Sequence, residues 1–213
     1  MTTRPVTTRP ESTRPESTLA ERKRRLVSGE LTETALQLFV QQGFDAVTVD
    51  EIAAAAGMSK RTFFRYFASK EDVVVQFLAD LGAGMRAELA ARPPEESTAT
   101  ALQHAVRSCV DACAGHADKA LRVVRLILGT PSLHARFLER QAQWRDDLAA
   151  ELAIRLALPS PTALHPRLAA GLALTVFEVV LQLWSDGDGA EDPSALTARA
   201  FAAVAPALDA VGR

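Results

Sequence analysis

The stretch Thr48-Val49-Asp50-Glu51-Ile52-Ala53-Ala54-Ala55-Ala56-Gly57-Met58-Ser59-Lys60-Arg61-Thr62-Phe63-Phe64-Arg65-Tyr66-Phe67-Ala68-Ser69-Lys70-Glu71-Asp72 decides the fold. It opens on Thr48-x-x-Glu51, the spacing at which a hydroxyl and a carboxylate each satisfy one orphan N–H of a helix start. Ile52, Ala53 and Ala56 share the next helical face, and Gly57 stops it. Ser59 then caps a further helix predicted to run through about Tyr66. Two short helices joined by Gly57-Met58-Ser59 form a helix-turn-helix, whose second member enters the DNA major groove. Upstream, Leu31, Ala35, Leu38 and Phe39 mark one face of a first helix, with Ser28 expected as its N-cap and Gly43 as its C-terminal stop. Downstream, Ser69-Lys70-Glu71-Asp72 opens a fourth helix that reaches toward Arg92.

The two faces of the third helix carry different chemistry. Phe63 and Phe67, four apart, belong to the core beneath it. The other face presents Lys60, Arg61, Thr62, Phe64, Arg65 and Tyr66. Lysine and arginine donate to guanine O6 and N7, and the threonine methyl and hydroxyl suit thymine or phosphate. A tyrosine hydroxyl beside phosphates donates to them, and the Phe64 ring packs on sugar. Helix N-termini at Thr48 and Lys70 offer N–H groups to the backbone of a duplex.

Residues 26–72, and above all the run quoted first, resemble the N-terminal domain of the TetR family of bacterial transcription regulators. The resemblance implies an all-helical homodimer with a small DNA-binding domain and a larger domain that binds ligand and dimerises. By it, Lys60, Arg61, Thr62 and Arg65 take base-reading or adjacent positions, while Thr48, Phe64, Tyr66 and Lys70 match positions that meet the DNA backbone. Ser59, the cap between the helices, completes the DNA-facing set. The family usually has Leu-Tyr where this chain has Phe63-Phe64, so one hydroxyl is missing here. The basic run Arg22-Lys23-Arg24-Arg25 resembles the family's short N-terminal arm and is expected to precede the first helix.

Composition agrees with a helical protein. Alanine occurs 39 times and isoleucine three times in 213 residues, an inventory that favours close-packed helices over sheets. The 48% apolar content excludes global disorder, and a net charge of −2 argues against indiscriminate nucleic-acid coating. Charge is unevenly placed, with a positive excess in residues 1–70 and a negative one beyond. Two cysteines are too few for a disulfide framework, and no apolar leader opens the chain. The run from Leu168 to Trp184, interrupted by Glu178 and Gln182, reads as too short to span a bilayer comfortably. The expectation is a soluble cytoplasmic protein.

The pentads around Pro5, Pro10 and Pro15 carry Arg4, Arg9 and Arg14 and little apolar surface, so residues 1–20 read as a disordered Thr/Arg/Pro arm. A helix-turn-helix domain over 21–83 and a ligand-binding and dimerisation domain over 84–213 follow. Proline and glycine breaks place five further helices near 97–114, 118–129, 132–157, 163–185 and 193–211, for about nine in all, with a kink or early stop at Pro206. Helix 163–185 is apolar nearly all round, with Leu168, Leu172, Val176, Val179 and Leu183 on one side and Leu174, Phe177, Leu181 and Trp184 on another. It and helix 193–211 are expected to pair with their symmetry mates in a homodimer.

Helix 132–157 carries Phe137 and Trp144 on an apolar stripe with Gln141 in the gap, a pattern that suits a mostly apolar ligand pocket. Lys119, Arg122 and Arg125 align on the helix before it, so Arg125 joins Phe137, Gln141 and Trp144 as a candidate ligand contact. Leu126–Trp144 also resembles mycofactocin-type regulators, which implies an acyl-type effector. The function expected is therefore a regulator, a repressor released from a palindromic operator by a small hydrophobic molecule. A different reading starts from Cys109, Cys113 and His116 at i, i+4 and i+7, where soft ligands suit zinc or copper if His104 or a second chain adds a fourth. Buried structural cysteines are the simpler account. No nucleophile motif, glycine-rich phosphate loop or carboxylate pair points to catalysis, so no catalytic residue, cofactor or metal is expected. A helical enzyme or lipid carrier is the rival class.

Overall fold

Residues 18–114, 117–158 and 164–210 are described by the structure, a computed structural model. Among them nine helices and no strand are found: α1 (Leu19–Gln42), α2 (Val49–Ala55), α3 (Lys60–Phe64), α4 (Lys70–Ala91), α5 (Thr98–Ala114), α6 (Ala117–Gly129), α7 (Pro131–Arg155), α8 (Leu164–Asp186) and α9 (Pro193–Ala210). The all-α architecture follows the sequence expectation. The pentad arginines Arg4, Arg9 and Arg14 lie outside the described residues.

Helix α1 is capped by Thr18, ten residues before the cap expected at Ser28. Thr18 and Glu21 form a capping box, with Thr18 Oγ1 accepting from the Glu21 N–H at 3.2 Å and Glu21 Oε2 accepting from the Thr18 N–H at 2.8 Å. Ser28 therefore lies inside the helix, where its hydroxyl donates to the Arg25 carbonyl at 3.1 Å. Leu19 and Ala20, expected in the arm, are helical, and Arg22-Lys23-Arg24-Arg25 lies on the first turns of α1 rather than ahead of it. The Thr48–Glu51 box of α2 forms as expected, and Gly57 (φ 65°) turns the chain toward Ser59 in a conformation that side chains with a Cβ rarely adopt. Helix α3 is shorter than expected. After Phe64 the backbone tightens, with the Arg65 and Tyr66 N–H groups reaching back three residues to Thr62 and Phe63.

The head built by α1–α3 packs Leu31, Ala35 and Phe39 against Ile52, Ala53, Phe63 and Phe67, all buried. Phe39 and Phe44 meet edge to face at 4.9 Å. Helix α4 leads from that core into the larger one. Val73 and Val74 lie in its first turns, Leu78, Met85 and Leu89 in its later ones, and the boundary expected at residue 83 falls inside this continuous helix. Trp144 of α7 lies over Gly82 of α4, where an added Cβ would come within 2.0 Å of the indole nitrogen. The expected core residues Leu133, Phe137, Trp144, Leu148 and Leu152 are all buried. Arg155 at the end of α7 donates to the carbonyls of Arg92, Pro93 and Glu96, clamping the α4–α5 connection.

Helix α9 departs from the sequence reading at Pro206, and helix α8 in the side that Val176 takes. Helix α9 runs through Pro206 to Ala210, so the early stop does not occur. Helix α8 buries only one side within the chain. Ala169, Ala173, Val176, Phe177, Val180 and Trp184 face inward, whereas Leu168, Val179 and Leu183 remain 55%, 42% and 54% exposed. Val176 thus belongs to the inner face and not to the stripe it was grouped with. By length and composition alone α8 is long and apolar enough to cross a membrane. Its inward half is instead the wall between α7 and α9.

Candidate nucleic-acid interface

Helix α3 stands proud of the head because Phe63 and Phe67 root it from one side only. Phe63 is fully buried, Phe67 nearly so, and their rings are 5.5 Å apart. Thr62 and, just beyond the helix, Tyr66 are half-buried. Lys60, Arg61, Phe64 and Arg65 are exposed, with Phe64 at 49% and its ring edge-on to Phe63.

The outward residues are organised before any partner arrives. The Ser59 hydroxyl accepts from the Thr62 N–H at 3.1 Å and lies 2.9 Å from the Thr62 hydroxyl, so cap and side chain form one unit. Lys60 Nζ donates to Asp50 at 2.7 Å, tying α3 to the first turn of α2. Arg65 donates to the Tyr66 hydroxyl at 3.3 Å, and its guanidinium lies 5.1 Å from that ring's centre. Arg61 has neither kind of tether among the described contacts. Thr48 is engaged at its own cap: its hydroxyl donates to Glu51 Oε2 at 2.8 Å and its N–H to the same oxygen at 2.7 Å. These bonds hold the Glu51 carboxyl below its ordinary pKa. The structure thus brings Thr48, Ser59, Lys60, Arg61, Thr62, Phe64, Arg65 and Tyr66 together on α2, α3 and the turns that flank them.

Lys70 is the exception. Its ammonium donates to the carbonyls of Phe44 at 2.7 Å, Val47 at 3.0 Å and Asp45 at 3.3 Å, and lies 4.5 Å from the Phe44 ring centre. All three donors of its ammonium are engaged within the chain, where they pin the α1–α2 loop to the start of α4. Lys70→Met is expected to lower stability by about 1.5–3 kcal/mol, the range for hydrogen bonds to a charged group, in a urea titration. The salt dependence of DNA binding should stay unchanged. A slope flattened by about 0.9 would return Lys70 to the phosphate contacts.

The four expected ligand contacts separate. A cavity of about 620 Å³ lies among α1, α4, α5, α6, α7 and α8, and Phe137 is on its wall with Phe77, Leu81, Ile127, Phe177 and Trp184. Gln141 faces a smaller groove of about 150 Å³ beside Leu138, Arg145 and Thr175, with its amide nitrogen buried and without a partner among the described residues. Trp144 is core, near Phe137 and Phe177 at 6.0 and 6.3 Å between ring centres. Arg125 turns away to Asp188 at 2.6 Å and the Ser185 carbonyl at 2.8 Å. The helical stripe on α7 was real, but it faces α4 and α8, and only its Phe137 end reaches the cavity. Sequence reasoning missed the α1 contribution to that wall, namely Arg25, Ser28, Gly29, Thr32, Glu33 and Leu36. Their spacing of three and four along one helix was the available signal.

Of the proposed soft-metal set, Cys109 is buried, with Sγ donating to the Leu81 carbonyl at 3.4 Å. The Cys113 side chain and His116 lie outside the described residues. Among the described residues no group of three potential ligands gathers.

Comparison with known proteins follows the two parts of the molecule. Residues 31–77 match the family model for bacterial regulatory proteins of the tetR family, and residues 96–209 match the model of the MftR C-terminal domain. The HTH-type transcriptional regulator TcmR of Streptomyces glaucescens is 33% identical over 172 residues, covering 78% of this chain and 76% of its own. The MftR protein of Mycobacterium tuberculosis, named for regulation of mycofactocin biosynthesis, is 30% identical over 74% of this chain and 81% of its own. Among solved structures, the fatty acid degradation regulator FadR of Bacillus halodurans superposes with a TM-score of 0.61 at 20% identity, over 83% of this chain and 93% of that one. FadR of Bacillus subtilis, solved in complex with stearoyl-CoA, gives 0.61 at 17% identity, over 82% and 95%. At these identities the two structures establish the shared fold.

Proposed function

The chain belongs to the TetR family of bacterial regulatory proteins, with an MftR-type C-terminal domain, and is a DNA-binding transcriptional regulator; on that premise we propose that it represses as a homodimer on a palindromic operator and is released by an amphipathic, acyl-type molecule. The observation that carries the second half is the cavity itself. Its wall is shared by α1 of the DNA-binding head and by α4 to α8, so an occupant touches both parts at once. A volume of about 620 Å³ with aromatic and aliphatic walls suits a ligand with a long apolar part. The acyl-CoA bound by the Bacillus subtilis neighbour supports that chemistry.

In this reading the head extends through the first half of α4, and the remainder binds ligand and dimerises. The DNA-facing set is Thr48, Ser59, Lys60, Arg61, Thr62, Phe64, Arg65 and Tyr66, and the chain acts in the cytoplasm without catalysis. The open stripe of Leu168, Val179 and Leu183 on α8 is the surface a second copy covers. Two recognition helices then read half-sites about 34–36 Å apart. Footprinting on the DNA around its own gene should show one protected site with two-fold symmetry. A thermal-shift screen of acyl-CoAs and fatty acids, followed by gel shift, should yield a binder that also releases DNA. Protection without symmetry would sink the dimer, and a binder that leaves DNA affinity untouched would sink the switch.

A further inference from the structure

An ion pair joins two of the helices that wall the cavity. Lys119 of α6 and Glu33 of α1 both line the wall, and Lys119 Nζ lies 2.7 Å from Glu33 Oε1. The pair joins the helix that carries the DNA-binding head to the body that holds a ligand. It is also weak, because both side chains are well exposed, at 45% and 70%, and water screens them. A second cation on the same wall, Arg25, enters no ion pair among the described contacts. The other acid there, Asp80, already accepts from the Gln76 amide at 2.9 Å one turn away on α4. Behind this polar edge the wall turns apolar through Phe77, Ile127, Phe177 and Trp184.

Resting on the ligand reading above, we infer that Lys119 is the residue that reads the effector's head group, that this head group is an anion (carboxylate or phosphoryl), and that the Glu33 carboxylate holds its place when the cavity is empty. The logic is exchange. An anionic head entering with its tail in the apolar part competes with Glu33 for the same ammonium, and Arg25 adds to the attraction. An anion that takes the place of the Glu33 carboxylate on the Lys119 ammonium removes this tie to α1, so binding in that position and loosening of the head from α6 are the same event. A neutral molecule of equal length fills the cavity and leaves the pair closed.

Calorimetry of the full-length protein with dodecanoate, dodecyl phosphate and dodecanol tests this, since the three share a tail. At least one of the two anions should bind about tenfold more tightly than the alcohol, the worth of one charge-assisted hydrogen bond; which of them does so identifies the source of the charge. Lys119→Met should erase that difference and leave dodecanol unchanged. The reversed pair, Glu33→Lys with Lys119→Glu, should restore the tie between helices, retain DNA binding and move the preference to dodecylamine. Both positions are exposed, so neither variant disturbs the core. Equal affinity for alcohol and anions in the wild type, or an anion preference that survives Lys119→Met, overturns the inference while leaving a hydrophobic effector standing. Failure of every probe to bind overturns both.

Discussion

Gly82→Ala is expected to lower the stability of the whole molecule by about 2–3 kcal/mol, although alanine is the better helix former by about 1 kcal/mol. The reason is steric. A Cβ at this position would lie 2.0 Å from Trp144 Nε1, 2.1 Å from Cδ1 and 2.9 Å from Cε2, so the whole indole has to move. It has little room to do so, because Trp144 is only 2% exposed and packs near the rings of Phe137 and Phe177. Equilibrium unfolding in urea measures the loss. A smaller residue at position 144 in the same background, Gly82→Ala with Trp144→Leu, should recover part of it, which a simple loss of helix geometry would not. A neutral or stabilising Gly82→Ala would show that α4 and α7 are not in this contact.

The second large effect concerns DNA. Arg61→Ala should reduce affinity for the operator by about 1–3 kcal/mol per half-site, and so by about twice that for a dimer, while scarcely changing affinity for unrelated DNA. Lys60 pairs with Asp50 and Arg65 contacts Tyr66, whereas Arg61 has no such partner among the described contacts and is the long cation of α3 whose geometry a base alone can set. Arg61→Lys should recover only part of the loss, since an ammonium cannot reproduce the two parallel donors of a guanidinium. Gel shifts on operator and scrambled duplexes at one salt concentration separate these outcomes. An equal loss on both duplexes would make Arg61 a phosphate contact instead.

What the sequence made legible was whatever local chemistry decides. The Thr48–Glu51 box, the Ser59 cap and the buried pair Phe63 and Phe67 each depend on residues three or four apart, and each appears in the structure. The Thr18–Glu21 box has the same spacing, directly after the pentad repeat, and α1 begins there and not at Ser28. Lys70 could not be read this way, since its carbonyl partners come from a loop 23 to 26 residues earlier. The cavity was the hardest part. Periodicity told that α7 has an apolar face, but not that Trp144 would meet Gly82 or that the open space would lie beyond Phe137. Which face meets which is fixed by how six helices cross, and no single helix carries that information.

The chain has two tryptophans, and the fold places them on opposite sides of one distinction: Trp184 lines the cavity and Trp144 does not. Both are shielded from bulk water, so each indole emits from an apolar surrounding until that surrounding changes. Filling the cavity alters the surroundings of Trp184 directly and reaches Trp144 only through Phe137 and Phe177, whereas loosening of α4 against α7 alters those of Trp144 directly. Intrinsic fluorescence of the unlabelled protein therefore has one channel for occupancy and another for the state of the core. Single-tryptophan variants can follow the two in time, and the order in which they respond says whether the head is released before or after the pocket is filled.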